Sequence, residues 1–259
     1  FLAQAEGENN PYAQECKELA QLVAAPQLAW TPEENGKTKL SYARTSKYDN
    51  LLRYEGYELI LKILRYLYQI DAYISIAEVA RERGFVFAEA LPLGGNILEI
   101  EGMFHPLIEN AIPNSIQADA EHNVVFLTGA NMAGKSTFMK TFGIVVYLAH
   151  MGFPLPVKKM RFSVQNGMYT TINLPDNMML GYSHFYAEVQ RLKKVAEQVG
   201  RIGNLVIVFD ELFRGTNVKD AHEATLAVME AFAEKKNCIF MISTHIIEAG
   251  EDLKKRCDN

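Results

Sequence analysis

Lys135 and Ser136 close a glycine-bounded run, Gly129-Ala130-Asn131-Met132-Ala133-Gly134-Lys135-Ser136. A short apolar run, Val124-Val125-Phe126-Leu127-Thr128, precedes it, and a segment able to form a helix follows. The order of strand, glycine-bounded loop and helix start is that of a Walker A phosphate loop. Glycines let the backbone bend so that several N–H groups point at one phosphate. The helix N-terminus adds positive dipole character. Lys135 can reach the β- and γ-phosphates, and the Ser136 hydroxyl can take a Mg²⁺ position. A second group lies at the end of the continuous apolar run Leu205-Val206-Ile207-Val208-Phe209, which stops in Asp210-Glu211. An apolar run followed by two carboxylates has the Walker B pattern. Asp210 is expected on the metal side of the nucleotide, and Glu211 is expected to polarise the attacking water. By itself, such a pair also fits a helix N-cap with a first-turn acid. A third group is Ser243-Thr244-His245, after the apolar run Cys238-Ile239-Phe240-Met241-Ile242. At the C-terminal end of a parallel strand, His245 points into the crevice where ligands sit. There it could hold the γ-phosphate or the water.

These groups need elements to carry them. Runs 205–209 and 238–242 have the texture of parallel strands buried on both faces. Helical segments at 137–151, 183–199 and 221–235 alternate with strands, including strands within 160–175. That alternation predicts an α/β fold with a largely parallel central sheet. Residues 12–25 predict an amphipathic helix stopped near Pro26, and 26–47 a polar connector. From Tyr48 to Arg83, the polar residues Glu55, Glu58, Lys62, Arg65 and Gln69 fall on one helical stripe. Leu52, Leu59, Ile63, Tyr66, Ile70 and Tyr73 take the opposite faces, for packing against partner helices. One helix of about 50 Å is expected there, at ~1.5 Å per residue. Residues 12–25 are expected to pack beside it, and Gly84 to end it. Pro92, Gly94, Gly95, Gly102, Pro106 and Pro113 then punctuate short apolar runs, which puts a boundary near residue 90. The expected division is an α-helical segment over 1–90 and the α/β domain over 91–259.

The 259 residues suffice for one large or two ordinary domains. A formal net charge of −5 excludes a chain that is basic throughout, so DNA contact would need a local patch or parts outside this chain. Cys16, Cys238 and Cys257 are too few and scattered for a disulfide framework or zinc site, which fits a reduced, cytoplasmic setting. No apolar run approaches the roughly 18 residues of a membrane span. The chain opens at Phe1 without methionine and stops at Asn259 without a closing element. It reads as a piece of a longer protein.

Thr128-Gly129-Ala130-Asn131-Met132-Ala133-Gly134-Lys135-Ser136-Thr137 closely resembles the phosphate loop of the MutS mismatch-repair ATPases, which carry an Asn-Met pair inside the loop. Asp210-Glu211-Leu212-Phe213-Arg214-Gly215-Thr216-Asn217 resembles the same family's acidic strand and D-loop, and Ser243-Thr244-His245 its switch histidine. Gly181-Tyr182-Ser183-His184-Phe185-Tyr186-Ala187-Glu188 is similar to its signature segment. Leu67 to Ala80 resembles the helix leading to the ATPase domain, and Glu101-Gly102-Met103-Phe104-His105-Pro106 its His-Pro strand. The resemblance covers most of residues 50–250.

It implies an ABC-type P-loop ATPase with ATP and Mg²⁺ as cofactors, working as a homodimer with two nucleotides between two ATPase domains. The implied nucleotide contacts are Gly129, Asn131, Met132, Ala133, Gly134, Lys135, Ser136 and Thr137. Ser136 and Asp210 would hold the metal, and Glu211 and His245 would be catalytic. Ser183 would contact the partner's γ-phosphate. The helix over 48–83 would be a lever towards a DNA clamp. Several positions depart from the family pattern. Ala133 stands where a second glycine is usual, Tyr182 and His184 flank the signature serine, and Phe213 replaces the D-loop glycine. No aromatic platform for adenine stands in 114–118, which leaves Ile116 to cover the base. The mismatch-reading domain has no place in this chain. The alternatives are a MutS-like ATPase acting on branched or recombining DNA or another assembly, a transporter-type ABC subunit, and a phosphate-loop kinase. The Asn-Met loop and the long preceding helix argue against the transporter. Water attack by Glu211 and His245 argues against the kinase.

Overall fold

The computed structural model describes residues 12–31, 39–130, 132–172, 184–213 and 216–244, and of His184 the backbone alone. The chain divides into two compact units, Phe1–Glu78 and Val79–Asn259.

In the first unit, helix α1 (Ala13–Val23) buries Leu19. It touches helix α3 (Tyr57–Arg83), which begins in this unit, at a few side chains, although no residue of α3 is buried. The Tyr66 hydroxyl donates to the Glu18 carboxylate, and the Tyr12 and Tyr73 rings lie 5.1 Å apart. The single helix expected over 48–83 is divided, however. Helix α2 (Tyr42–Asn50) begins inside the expected connector, capped by the Ser41 side chain. It passes into a wide turn, Leu51–Glu55, that stops at Gly56. The Gly56 N–H donates to the Leu51 carbonyl at 2.6 Å. A Cβ on Gly56 would stand 3.0 Å from that oxygen, so a larger residue would have to push the tight end of the turn open by a few tenths of an ångström. The polar stripe starts at Glu55, where the wide turn ends, and runs on along α3, so it carries no sign of the break before it.

In the second unit, two four-stranded sheets carry the architecture. Strands β1 (Glu89–Leu91), β2 (Leu98–Met103), β3 (Asn114–Ala118) and β5 (Lys159–Ser163) make the first, in the order β1-β5-β2-β3. Here β1 and β5 are parallel, while β2 runs antiparallel to both β5 and β3. Strands β4 (Val124–Leu127), β6 (Gly167–Thr171), β7 (Leu205–Phe209) and β8 (Ile239–Ser243) make the second, in the order β4-β8-β7-β6. All its pairs are parallel, as the buried apolar runs predict. The antiparallel part of the first sheet is not implied by the alternation of strands and helices. It comes from the glycine- and proline-punctuated stretch before β4.

Helices α4 (Lys135–His150), α5 (His184–Arg201) and α6 (Val218–Ala233) complete the unit. α4 lies between the sheets, burying Met139, Phe142, Val145 and Val146 against Leu98, Ile100 and Met160 of one and Val206, Val208 and Met241 of the other. On the other face of the parallel sheet, α5 and α6 cover Leu205, Ile207, Phe240 and Ile242 with Val195, Val199, Met229 and Phe232. Every residue of β7 and β8 is buried. A layer on each face of an all-parallel sheet accounts for that. Two asparagines clamp the far end. The Asn96 amide donates to the carbonyls of Lys236, Cys238 and Asp119, and the Asn123 amide to those of Lys235 and Phe232. Among the described residues, no helix is long and apolar enough to cross a membrane.

Candidate active site

Strand order brings together the C-terminal ends of β4, β8 and β7. In an open parallel sheet, that rim is where a ligand crevice forms. β4 runs into residues 128–134, and α4 begins at Lys135. Gly129 has φ +150 and Gly134, at the N-cap of α4, φ +93. No atom lies within 4 Å of a Cβ built on Gly134, so its glycine is required by backbone conformation alone. Lys135 turns back over the loop. Its Nζ donates to the Gly129 carbonyl at 2.6 Å and the Ala130 carbonyl at 3.0 Å. Met132 is fully exposed on the loop. Ala133 and Thr137 are also exposed, with the Ala133 N–H donating to Ala130 O at 3.3 Å.

β7 delivers the two carboxylates. Ser136 Oγ donates to Asp210 Oδ2 at 3.1 Å, which joins the start of α4 to the end of β7. Ser243 Oγ, at the end of β8, donates to Asp210 Oδ1 at 2.5 Å. The Glu211 N–H approaches both Ser243 Oγ at 3.1 Å and Ser243 O at 3.2 Å. One residue further, the Thr244 N–H donates to Leu127 O at 3.2 Å, closing the rim between β8 and β4. Glu211 is half-buried, and Phe213 is 3% exposed with its ring 5.9 Å from that of Phe185 on α5.

Backbone strain concentrates on this rim. Six described non-glycine residues have φ above zero: Asn96, Asn110, Asn204, Met132, Glu211 and Phe213. Asparagine tolerates the left-handed region, while other L-residues pay about 1–2 kcal/mol there. The three that are not asparagine all border the glycine loop or the acidic strand. Such strain gathers at ligand clamps and reacting sites.

The structure therefore brings together Gly129, Gly134, Lys135, Ser136, Asp210 and Glu211. Asn131, Ser183 and His245 lie outside the described residues. Ile116 is a core residue of β3, 7% exposed and opposite Ile100, so it has little surface to offer a base. Ser243 and Phe185 stand inside the motifs read from the sequence, which gave neither of them a role of its own. The signal for Ser243 is its register. In the parallel pairing Phe209 stands opposite Ile242, so the next residues along, Asp210 just past β7 and Ser243 at the end of β8, meet at the rim.

The two groups at the rim suited to a metal are both oxygen donors, the Ser136 hydroxyl and the Asp210 carboxylate. Among the described residues, there is no group of three or more His, Cys, Asp and Glu able to hold a metal. A hydroxyl and one carboxylate suit Mg²⁺, which keeps several waters and takes its other ligands from substrate phosphates. The residues present thus fit a magnesium nucleotide, with the ammonium of Lys135 and the N–H groups of the loop for its phosphates.

Residues 125–258 match the family model for MutS domain V. The chain is 31% identical over 194 residues to the DNA mismatch repair protein MutS of Thermus aquaticus, covering 74% of this chain and 23% of that protein. It is 30% identical over 199 residues to the protein of the same name from Desulforamulus reducens, covering 74% and 22%. To that of Aquifex pyrophilus it is 32% identical over 187 residues, covering 71% and 21%. The chain spans less than a quarter of the length of these relatives.

Proposed function

Because the chain belongs to the MutS domain V family, we propose that it is the ATP-binding and hydrolysing motor of a MutS-like DNA mismatch repair protein. The observation that carries this reading is the bond from Ser136 to Asp210, across 74 residues of chain, at the open end of a parallel sheet. It joins the residue that ends a glycine loop to the first acid after a buried strand, the pairing a phosphate loop and a Walker B strand require.

On this reading Lys135 leaves the carbonyls of Gly129 and Ala130 and neutralises the β- and γ-phosphates. Gly129, Asn131, Met132, Ala133, Gly134 and Thr137 line the phosphates with loop and helix-start N–H groups. Ser136 and Asp210 hold Mg²⁺, which when bound neutralises charge on the phosphate oxygens. Glu211 orients and deprotonates the attacking water, and His245 holds the water or the γ-phosphate. Ser183 serves the γ-phosphate of a second subunit, so ATP joins two copies and hydrolysis releases them. Residues 91–259 are the ABC-type ATPase part and 1–90 the helical lever. DNA is bound by other parts of the whole protein, in a reduced cytoplasmic setting.

The test is ATP hydrolysis by the intact protein with no DNA, mismatched duplex or branched DNA. Turnover that rises or falls at least severalfold with mismatched duplex is expected. A change with branched DNA alone would move the substrate to branched structures. Absence of any DNA effect, together with no DNA binding at low salt, would overturn the clamp part of the reading.

A further inference from the structure

We infer that the Ser243 hydroxyl is a positioning group that sets the metal-side carboxylate and the water-side carboxylate together. This inference rests on the ATPase reading above. Ser243 Oγ has two partners, and both belong to the acidic pair. It donates to Asp210 Oδ1 at 2.5 Å and accepts from the Glu211 N–H at 3.1 Å. The residue is fully buried, so water cannot replace either bond.

The two oxygens of Asp210 are thereby divided between two hydroxyls, Ser136 on Oδ2 and Ser243 on Oδ1. Their surroundings differ. Ser136 lies at the start of α4, beside the loop that receives phosphate, and must turn its lone pairs to Mg²⁺ when the nucleotide binds. Ser243 closes a strand whose five residues are all buried, and its backbone is tied into the parallel ladder. Ser243 can therefore hold Oδ1 while Oδ2 is released to the metal side. The carboxylate need not find its orientation anew, because a charge-assisted bond to an immobile hydroxyl already fixes it.

The same oxygen acts on Glu211. Glu211 sits at φ +54, a conformation it holds only if its surroundings impose it. Its N–H is anchored at the end of β8 by both Ser243 Oγ and Ser243 O. The strained peptide that aims the Glu211 side chain is thus pinned by the residue that orients Asp210.

Ser243→Ala removes one oxygen and keeps the β-strand side chain otherwise small and buried. The test is binding of a fluorescent ATP analogue to the full chain, with free Mg²⁺ raised from chelated to millimolar. The expected result is unchanged affinity without Mg²⁺ and about a tenfold higher Mg²⁺ midpoint, the scale of one charge-assisted hydrogen bond. A midpoint equal to wild type overturns the inference. So does a loss of affinity of the same size with and without Mg²⁺, which marks general damage to the fold. Failure of the wild-type chain to bind the analogue under any condition would instead overturn the ATPase reading.

Discussion

Ser136 and Asp210 share a hydrogen bond of 3.1 Å although 74 residues separate them in the chain. One opens α4 and the other ends β7, so the bond spans the rim of the parallel sheet past the end of β8. With Lys135 folded onto the Gly129 and Ala130 carbonyls, Lys135, Ser136 and Asp210 each have protein partners. Nucleotide binding must then exchange partners, not fill idle groups. The exchange keeps the cost of the buried polar groups low in both states.

Lys135→Ala tests the exchange from the loop side. It removes the cation for the phosphates and also the brace on two loop carbonyls. Two charge-assisted bonds are worth roughly a hundredfold or more in affinity. A fluorescent-nucleotide titration should show that loss, and unchanged affinity would mean that Lys135 does not face phosphate.

Phe213 makes an unusual prediction about glycine. It is 3% exposed and holds φ +60. Truncating a buried phenylalanine costs about 3–5 kcal/mol. Alanine keeps the left-handed strain of ~1–2 kcal/mol, whereas glycine releases it. Phe213→Gly is therefore expected to be about 1 kcal/mol more stable than Phe213→Ala in urea unfolding, the reverse of the usual order inside regular elements. Equal stabilities, or alanine ahead, would show that φ at 213 is not positive in solution.

Acid stability has a local contribution at the turn before β4. Asp119 Oδ1 accepts from the His122 N–H at 2.7 Å and the Glu121 N–H at 2.8 Å. The His122 bond in particular holds the carboxyl below the ordinary aspartate value, against a smaller opposing effect of burial. The unfolded group titrates near about 3.9. A depressed folded value means that its stabilisation is fully present above that pH and is lost as pH falls through the folded value. Asp119→Asn should flatten the fall of the melting temperature below about pH 4. An unchanged acid limb would remove Asp119 from the account.

Much of the site is legible in the sequence because it sits on the most regular elements. The runs 205–209 and 238–242 are apolar at every position, and only strands covered on both faces need that. The end of the first run marks the rim at Asp210 and Glu211, and the glycine-bounded loop after Val124–Thr128 marks it at Lys135 and Ser136. Gly56 is harder to read, since a glycine in a helical pattern often stays helical. What breaks the helix is the wide turn at Leu51–Glu55, which lies before the bulk of the polar stripe and so leaves no mark on it. The antiparallel pairing of β2 with β3 and β5 depends on contacts far apart in sequence, which periodicity does not report. Ile116 illustrates the same limit. The family resemblance leaves Ile116 to cover the base, while its side chain lies in the core opposite Ile100. Ser243 needed the register of β7 on β8 before its partners could be named.

The most direct measurement of the central claim is Glu211→Gln, followed by paired assays of ATP binding and phosphate release with light scattering for mass. The substitution keeps the shape of the side chain and the Asp210–Ser136 arrangement but removes the base. ATP affinity is expected within about threefold of wild type, less than 1 kcal/mol. Phosphate release is expected to fall by about a hundredfold or more, the usual weight of a general base, with a dimer that persists in ATP. Phosphate release equal to wild type, or only monomer in ATP, would contradict the claim.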